Sequence, residues 1–369
     1  ADTQRSFDLT VEPLFRTALL RLSDDEHILL LTIHHIIFDG WSQTILLNEL
    51  NLLYDAFRLG AVSPLPDLPV QYADFALWQR SWWRGEVREN QLRYWVEQLR
   101  GWHTLDLPTD YPRPTEISDQ GATWFFSLPP QLAIALRTVS RREGVSLFMT
   151  LLGGFQVMLG RYSRQRDVLV GTDIANRTVV ESEGLLGFFV NILPLRLRWK
   201  GTESFHSILQ QLREGVFGAY AHQDLPFDQL IEALHLERTL NRQPLVNVLF
   251  VWQNLPTVSA RAQDVIISPL TMGVNSAKFD LALFMWEEAG QLKGGINYST
   301  ALFRETTIER LSMHFLSLLK AISEDTEKSI DALNMHTHAE QEEKEEQEGR
   351  FHETQRRKLK VTKRSIIPL

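Results

Sequence analysis

Between Ile28 and Phe57 the apolar pattern changes period across a single short loop, and this switch fixes the local architecture. Ile28-Leu29-Leu30-Leu31-Thr32-Ile33 is a nearly continuous apolar run, the pattern of a strand buried on both faces. After Gly40, the residues Leu46, Leu50, Leu53, Tyr54 and Phe57 recur at helical spacing, with Ser42 as N-cap and Gly60 as terminator. Upstream, residues 16–22 and the polar turn 23–26 complete a β-hairpin with residues 27–34. The segment His34-His35-Ile36-Ile37-Phe38-Asp39-Gly40 is therefore a loop held between a strand and an amphipathic helix. Rigid scaffolds often carry their catalytic groups on such loops.

The loop holds groups suited to moving a proton. Histidine's ordinary pKa lies near neutrality, so a neutral imidazole can accept a proton from an amine. Two adjacent residues leaving a strand point to opposite sides, so one of His34 and His35 can face a reacting group while the other serves the scaffold. Asp39, directly before a glycine and a helix, is placed to fix loop geometry through hydrogen bonds or an ion pair. Gly40 offers a turn closed to other residues and an N–H open to a substrate oxygen. Taken alone, these residues fit a structural loop as well as a chemical one, because short motifs recur easily. A metal site has no support here: no HExxH occurs, and His35 with Asp39 lacks an evident third ligand. A serine hydrolase has no GxSxG elbow.

Elsewhere, residues 67–100 are rich in Trp and Tyr and read as helical from Tyr72, with Trp78, Trp82, Trp83 and Trp95 expected in core and interface packing. Residues 105–114 (LDLPTDYPRP) cannot be regular structure and read as the connection between two lobes. A strand at 121–128, helices at 131–142 and 146–161, strands at 167–172, 246–252 and 282–286, and a closing helix at 306–322 follow. The mixture implies an α/β (α+β) protein with two lobes. Residues 339–348 are mostly Glu and Gln and 356–364 mostly basic, without apolar periodicity, as in a solvated helix or linker.

A net charge of -8 leaves no basic surplus for neutralising phosphates, which argues against nucleic-acid binding. The absence of cysteine excludes disulfides, thiolate zinc sites and a Cys nucleophile, and suits a reducing cytoplasm. No apolar run is long enough to span a bilayer; the strongest, 184–197, is interrupted by Asn191, Pro194 and Arg196. No signal peptide opens the chain, which begins at Ala1 rather than Met, as a piece of a longer polypeptide does.

Several separated segments occur in a telling order. HHIIFDGWS (residues 34–42) matches an HHxxxDGxS core, and YADFALW (72–78) a YxDFAxW segment. GTDIANR (171–177) with GFFVN (187–191), then HQDLPF (222–227) and NRQPLV (241–246) with Val248-Leu249-Phe250, continue the series. AKFDL (277–281) and INYSTALFRETTIERL (296–311) close it. Through this ordered set the chain resembles the condensation domains of nonribosomal peptide synthetases over about residues 7–325.

The resemblance implies two chloramphenicol-acetyltransferase-like lobes in a V, with a channel for the 4'-phosphopantetheine arms of donor and acceptor peptidyl carrier proteins within a larger synthetase. The chain would bind no cofactor or metal of its own. It would be an acyltransferase: the acceptor amine attacks the donor thioester and an amide forms. His35 is then the catalytic histidine, as general base or as the group that positions the amine. His34, Asp39 and Gly40 would be structural, with Asp39 pairing with an arginine. Arg177 is the candidate partner, the alternative being an exposed strand-end cation. Trp41 and Ser42 are expected along the channel; Asn191, within an otherwise apolar run, is read first as bonding backbone at the lobe interface and second as a channel residue. His222, Asp224 and Pro226 are read as scaffold, Asp224 capping a helix that starts at Phe227.

The chain departs from the family pattern at its start, entering at Ser6-Phe7-Asp8-Leu9 without the segment that carries an LRT-type motif. The expected layout is a partial first lobe at 1–120, a second lobe at 121–330 and a charged tail at 331–369. Uncovered apolar faces would make the isolated chain poorly soluble and weakly active. Asp173 stands where the family usually has Pro. Competing readings are an epimerisation or ester-forming relative, and a non-catalytic module that docks carrier proteins. Heterocyclisation is disfavoured, because that variant replaces the two histidines with acidic residues.

Overall fold

The computed structural model describes residues 5–342, apart from 12, 237–238, 254–259, 263–264, 268–269 and 271–275. The basic run at 356–364 and most of the acidic run at 339–348 lie outside the described residues.

The hairpin forms as its pattern requires. Strands β1 (Phe15–Arg21) and β2 (His27–Ile33) pair antiparallel from Phe15↔Ile33 to Arg21↔His27. The expectation that the second arm is buried on both faces is corrected. No residue of the arm is fully buried, and Leu29 is 44% exposed and Leu19 67%. A two-stranded ribbon has too little surface to cover both faces of either arm. Helix α1 (Gly40–Arg58) follows, and Gly60 sits just past its end in the left-handed region that glycine tolerates. Its N-cap is Asp39 and not Ser42.

Helices α2 (Tyr72–Trp82) and α3 (Gly85–Gln98) fill the aromatic stretch, and residues 99–120 run without helix or strand. Trp83 and Trp95 are buried, as expected of core aromatics. Trp78 and Trp82 instead stack on each other 5.5 Å apart with surface exposed, so packing accounts for only part of the tryptophan cluster.

The larger body is built on a six-stranded mixed sheet. Its strands are β3 (Gly121–Ser127), β4 (Asp167–Ile174), β5 (Asn191–Arg198), β6 (Val248–Gln253), β9 (Leu281–Glu288) and β10 (Gln291–Ser299), ordered β3-β10-β9-β6-β4-β5. The pairs β4/β6 and β6/β9 are parallel and the rest antiparallel. The short strands β7 (Ala260–Ala262) and β8 (Val265–Ile267) make a separate ribbon. β5 lies at one edge of the sheet, where Pro194 costs no ladder bond that an interior strand would need.

Helices α4 (Pro130–Glu143), α5 (Leu147–Ser163), α6 (Phe205–Ala221), α7 (Phe227–Ala233) and α8 (Glu305–Glu324) complete the body. α5 is apolar all round, every residue from Met149 to Gly160 is buried, and Ser146 caps it by accepting from the Met149 N–H. Side chains at Gly153 and Gly154 would collide with Leu212 of α6 and Leu319 of α8, so the glycine pair admits both neighbours. Among the described residues no single helix is long and apolar enough to cross a membrane; α4 and α5 pass only jointly, bent by 104°.

Residues 330–340, which fall mostly within the tail expected from 331 onward, pack on the body. Ile330 and Leu333 are buried, and Arg161 of α5 donates to the carbonyls of Asp331 (2.6 Å) and Leu333 (2.7 Å). Contact with the body continues as far as Glu340, whose carboxylate meets His314 of α8.

Candidate active site

The strand ends at Ile33, and residues His35–Ile37 turn as one short 3-10 helix before α1 begins. This turn separates the two histidines. His34 looks back into the scaffold: its Nδ1 accepts from the Ile36 N–H at 3.1 Å, and its ring meets Phe7 edge-on. The His35 ring stands edge-to-face on Phe188, 5.0 Å between centroids, in an exposed position. Its Nδ1 lies 2.5 Å from the Phe38 carbonyl. A carbonyl can only accept, so Nδ1 donates here, and in the neutral ring Nε2 is the nitrogen that carries the lone pair.

Asp39 is buried and spends both carboxylate oxygens. Oδ1 accepts from the Ser42 N–H (2.8 Å) and Oδ2 from the Phe189 N–H (3.0 Å). The Arg177 guanidinium lies 3.2 Å from Oδ1, and both side chains are almost fully enclosed at 2% and 3% exposure. Arg177 is thus an internal ion-pair partner and not an exposed cation. It also donates to the carbonyls of Ser182 and Leu185 and to Ser42 Oγ, and its face lies 4.0 Å from the Phe189 ring centroid. Burial pulls the Arg177 pKa below its ordinary value, while the Asp39 charge and hydrogen bond act to raise it.

Ser42 does not line a channel. It is fully buried, and its hydroxyl donates to the Gly187 carbonyl and accepts from the Gly187 N–H, both at 3.0 Å. Gly187 in turn lies so close to Tyr72 that a Cβ would fall 2.2 Å from its ring, and Tyr72 Oη donates to the Phe188 carbonyl. Four of the sequence segments singled out above therefore meet at one place: 34–42, 72–78, 171–177 and 187–191. Trp41 keeps part of its ring exposed, with Nε1 donating to the Glu183 carbonyl at 2.9 Å. Gly40 is the first residue of α1 and has no positive φ, so the turn does not demand glycine's conformational range. Its N–H belongs to the first helical turn, whose leading donors have no partner within the helix.

Asn191 is a scaffold residue. Its Nδ2 donates to the carbonyls of Gln223 and Leu225, and its Oδ1 accepts from the Phe227 N–H, so its amide is committed to backbone. It, and not Asp224, tethers the start of α7; Asp224 accepts from Gln91 instead. His222 stacks on Tyr94 at 3.9 Å with its Nδ1 on the Gly218 carbonyl, also scaffold.

Asp173 lies within β4 opposite Ile192, and burial pushes its pKa up to about 6. A carboxylic acid whose folded value lies above its unfolded one of 3.8 destabilises the fold when ionised. The penalty is absent below the unfolded value and complete above the folded one. Each pH unit of that gap is worth about 1.4 kcal/mol. Asp173→Asn is therefore expected to stabilise the chain by on the order of 2–3 kcal/mol near pH 8 and by little near pH 4. Urea unfolding at the two pH values checks this, and an equal effect at both would contradict it.

A family model described as "Condensation domain" matches residues 1–344. Two of the proteins that make up linear gramicidin synthase in Brevibacillus parabrevis are similar to the chain, one 46% identical over 319 residues and the other 44% over 343. These alignments cover 86% and 92% of the chain but only 6% and 7% of the relatives, so the chain spans less than a tenth of their length. In fold it is similar to the X-domain from teicoplanin biosynthesis, with a TM-score of 0.84 at 24% identity, covering 91% of this chain and 77% of that one.

Proposed function

The chain belongs to the condensation-domain family of nonribosomal peptide synthetases, and on that premise we propose that it forms an amide between two carrier-bound substrates, with His35 at the reacting centre. The observation that carries this reading is the placement of His35: Nδ1 is held by the Phe38 carbonyl, and Nε2, on an exposed ring, has no hydrogen-bond partner among the described residues. The substrates are a donor acyl or peptidyl thioester and an acceptor aminoacyl thioester, each on the phosphopantetheine arm of a peptidyl carrier protein. The acceptor nitrogen attacks the donor carbonyl carbon, and the C–N bond forms. His35 Nε2 takes the proton that the nitrogen loses, or holds the amine for attack. The C–S bond breaks, and the leaving thiolate collects the proton. The N–H groups opening α1, those of Gly40 and Trp41, are the available donors for the oxyanion. Tethering both reactants supplies much of the acceleration by removing the entropy of encounter.

Residues 1–120 are assigned to a first lobe bearing the histidine loop, 121–330 to a second, and the adjoining synthetase domains are the partners. A cytoplasmic location agrees with a chain that has no cysteine. Single-turnover assays with separately loaded donor and acceptor carriers test the proposal, in the 369-residue chain and in any longer reading frame that contains it. Product on the acceptor carrier supports it. Carrier binding without product in either form sinks it in favour of a docking module, and inversion of the donor's α-carbon in favour of epimerisation.

A further inference from the structure

Far from the histidine loop in sequence, three potential metal ligands meet near the end of the described residues. His314 lies on α8, and His336 and Glu340 lie on the docked segment that follows it. One ligand atom from each falls within 4.8 Å of the others. No sequence pattern joins them, because His314 and His336 are 22 positions apart and fit no short ligand spacing.

The cluster is built rather than incidental. His314 is buried, at 6% side-chain exposure, and its Nδ1 is 2.6 Å from Tyr162 Oη on α5. A partner on the far ring nitrogen fixes an imidazole's tautomer and aim, as outer-shell groups do around metal-bound histidines. The near nitrogen, Nε2, points at Glu340, 2.7 Å from Oε2 and 3.0 Å from Oε1. Glu340 Oε2 also accepts from the Thr337 N–H at 2.9 Å and from the Thr337 hydroxyl at 3.0 Å, which fix the carboxylate in place. His336 presents Nδ1 4.0 Å from Glu340 Oε2, with its side chain 54% exposed. Its backbone is gripped from both sides: its N–H donates to Asn334 Oδ1, and its carbonyl accepts from Asn334 and Gln341.

We propose that His314, His336 and Glu340 bind one divalent transition-metal ion of the zinc type, which clasps the segment after residue 330 to α8. Two imidazoles and a carboxylate are the donor set of three-ligand zinc sites, which leave a fourth position to water. The exposed side of His336 provides both the entry path and that position. Ligand bonds of about 2.0–2.1 Å in a tetrahedron separate ligand atoms by roughly 3.4 Å. The His314–Glu340 contact therefore opens by about 0.7 Å, and His336 closes by about 0.6 Å, a swing of one exposed ring. The ion takes the place of the proton between His314 Nε2 and the carboxylate; the ring keeps one proton, on Nδ1, donated to Tyr162 Oη, and any second proton goes to solvent.

The test uses the 369-residue chain stripped with a chelator and titrated with Zn2+, and with Co2+ as a spectroscopic reporter. Expected are one-to-one binding, a zinc-dependent rise in melting temperature, and the visible absorption of low-symmetry Co2+. His336→Ala, an exposed change that leaves the fold intact, should weaken binding more than tenfold, and Tyr162→Phe by roughly tenfold through loss of the outer hydrogen bond. His338→Ala, two positions on and paired at the surface with Glu342, should change nothing. Failure of Zn2+ to bind the parent chain overturns the proposal. So does binding that survives His336→Ala, because the metal would then lie elsewhere.

Discussion

Replacing His35 by alanine is expected to lower condensation by about 10²–10⁴-fold while leaving stability within about 0.5 kcal/mol. The two halves of this expectation come from one geometry. The His35 side chain is exposed, touches the Phe188 ring by its edge, and makes its only described hydrogen bond to the Phe38 carbonyl. Its loss opens no cavity and strands no buried charge, so unfolding should move little. Activity depends instead on Nε2, which has no structural duty to keep it in place. Unchanged product formation by His35→Ala would remove His35 from the reaction altogether.

Much of this site was legible in the sequence, and what was missed has physical reasons. The strand-loop-helix switch around residues 28–57 is local, so periodicity locates β2 to within a residue, and the start of α1 to within three. Local pattern also misassigned the cap: Asp39 and Ser42 are both good capping types, and the choice depends on where the helix starts. The pairing of Asp39 with Arg177, 138 positions apart, came from ordered motifs, because no local signal reports so distant a contact. Ser42 is expected along the channel from its place in the motif, whereas Asn191 is expected first of all to bond backbone at the lobe interface. The structure shows each saturated by backbone, Ser42 by Gly187 and Asn191 by residues 223–227. α6 carries a clear apolar period, with Phe205, Ile208, Leu209, Leu212 and Val216 buried, yet went unread between stronger motifs. β5 was read as an interrupted apolar run, since Pro194 and Arg196 break a strand pattern unless the strand lies at an edge. There Arg196 has a specific task, binding Asp167 and the carbonyls of Gln98, Arg100 and Gly101 at the end of α3.

Arg177→Ala and Asp39→Ala are each expected to cost about 3–5 kcal/mol of stability, because each leaves its partner as an uncompensated buried charge. Arg177→Ala leaves the buried Asp39 carboxylate with only the Ser42 and Phe189 N–H groups and frees the carbonyls of Ser182 and Leu185 from their donor. Asp39→Ala strands the guanidinium and removes the cap of α1 and the acceptor for the Phe189 N–H. The double replacement Asp39→Ala with Arg177→Ala removes both charges at once. It should therefore lose clearly less than the two alanine costs added together, with a coupling of roughly 1–3 kcal/mol. Denaturant unfolding of the parent, the two single variants and the double variant measures this. Additive losses would mean that the pair contributes nothing as a pair. Activity should follow a different order from stability. Asp39 fixes the start of α1 and hence the end of the turn that holds His35, so the double variant, though partly restored in stability, should remain impaired in condensation. A double variant with parental activity would show that the ion pair serves the fold alone and that the histidine turn keeps its geometry without it.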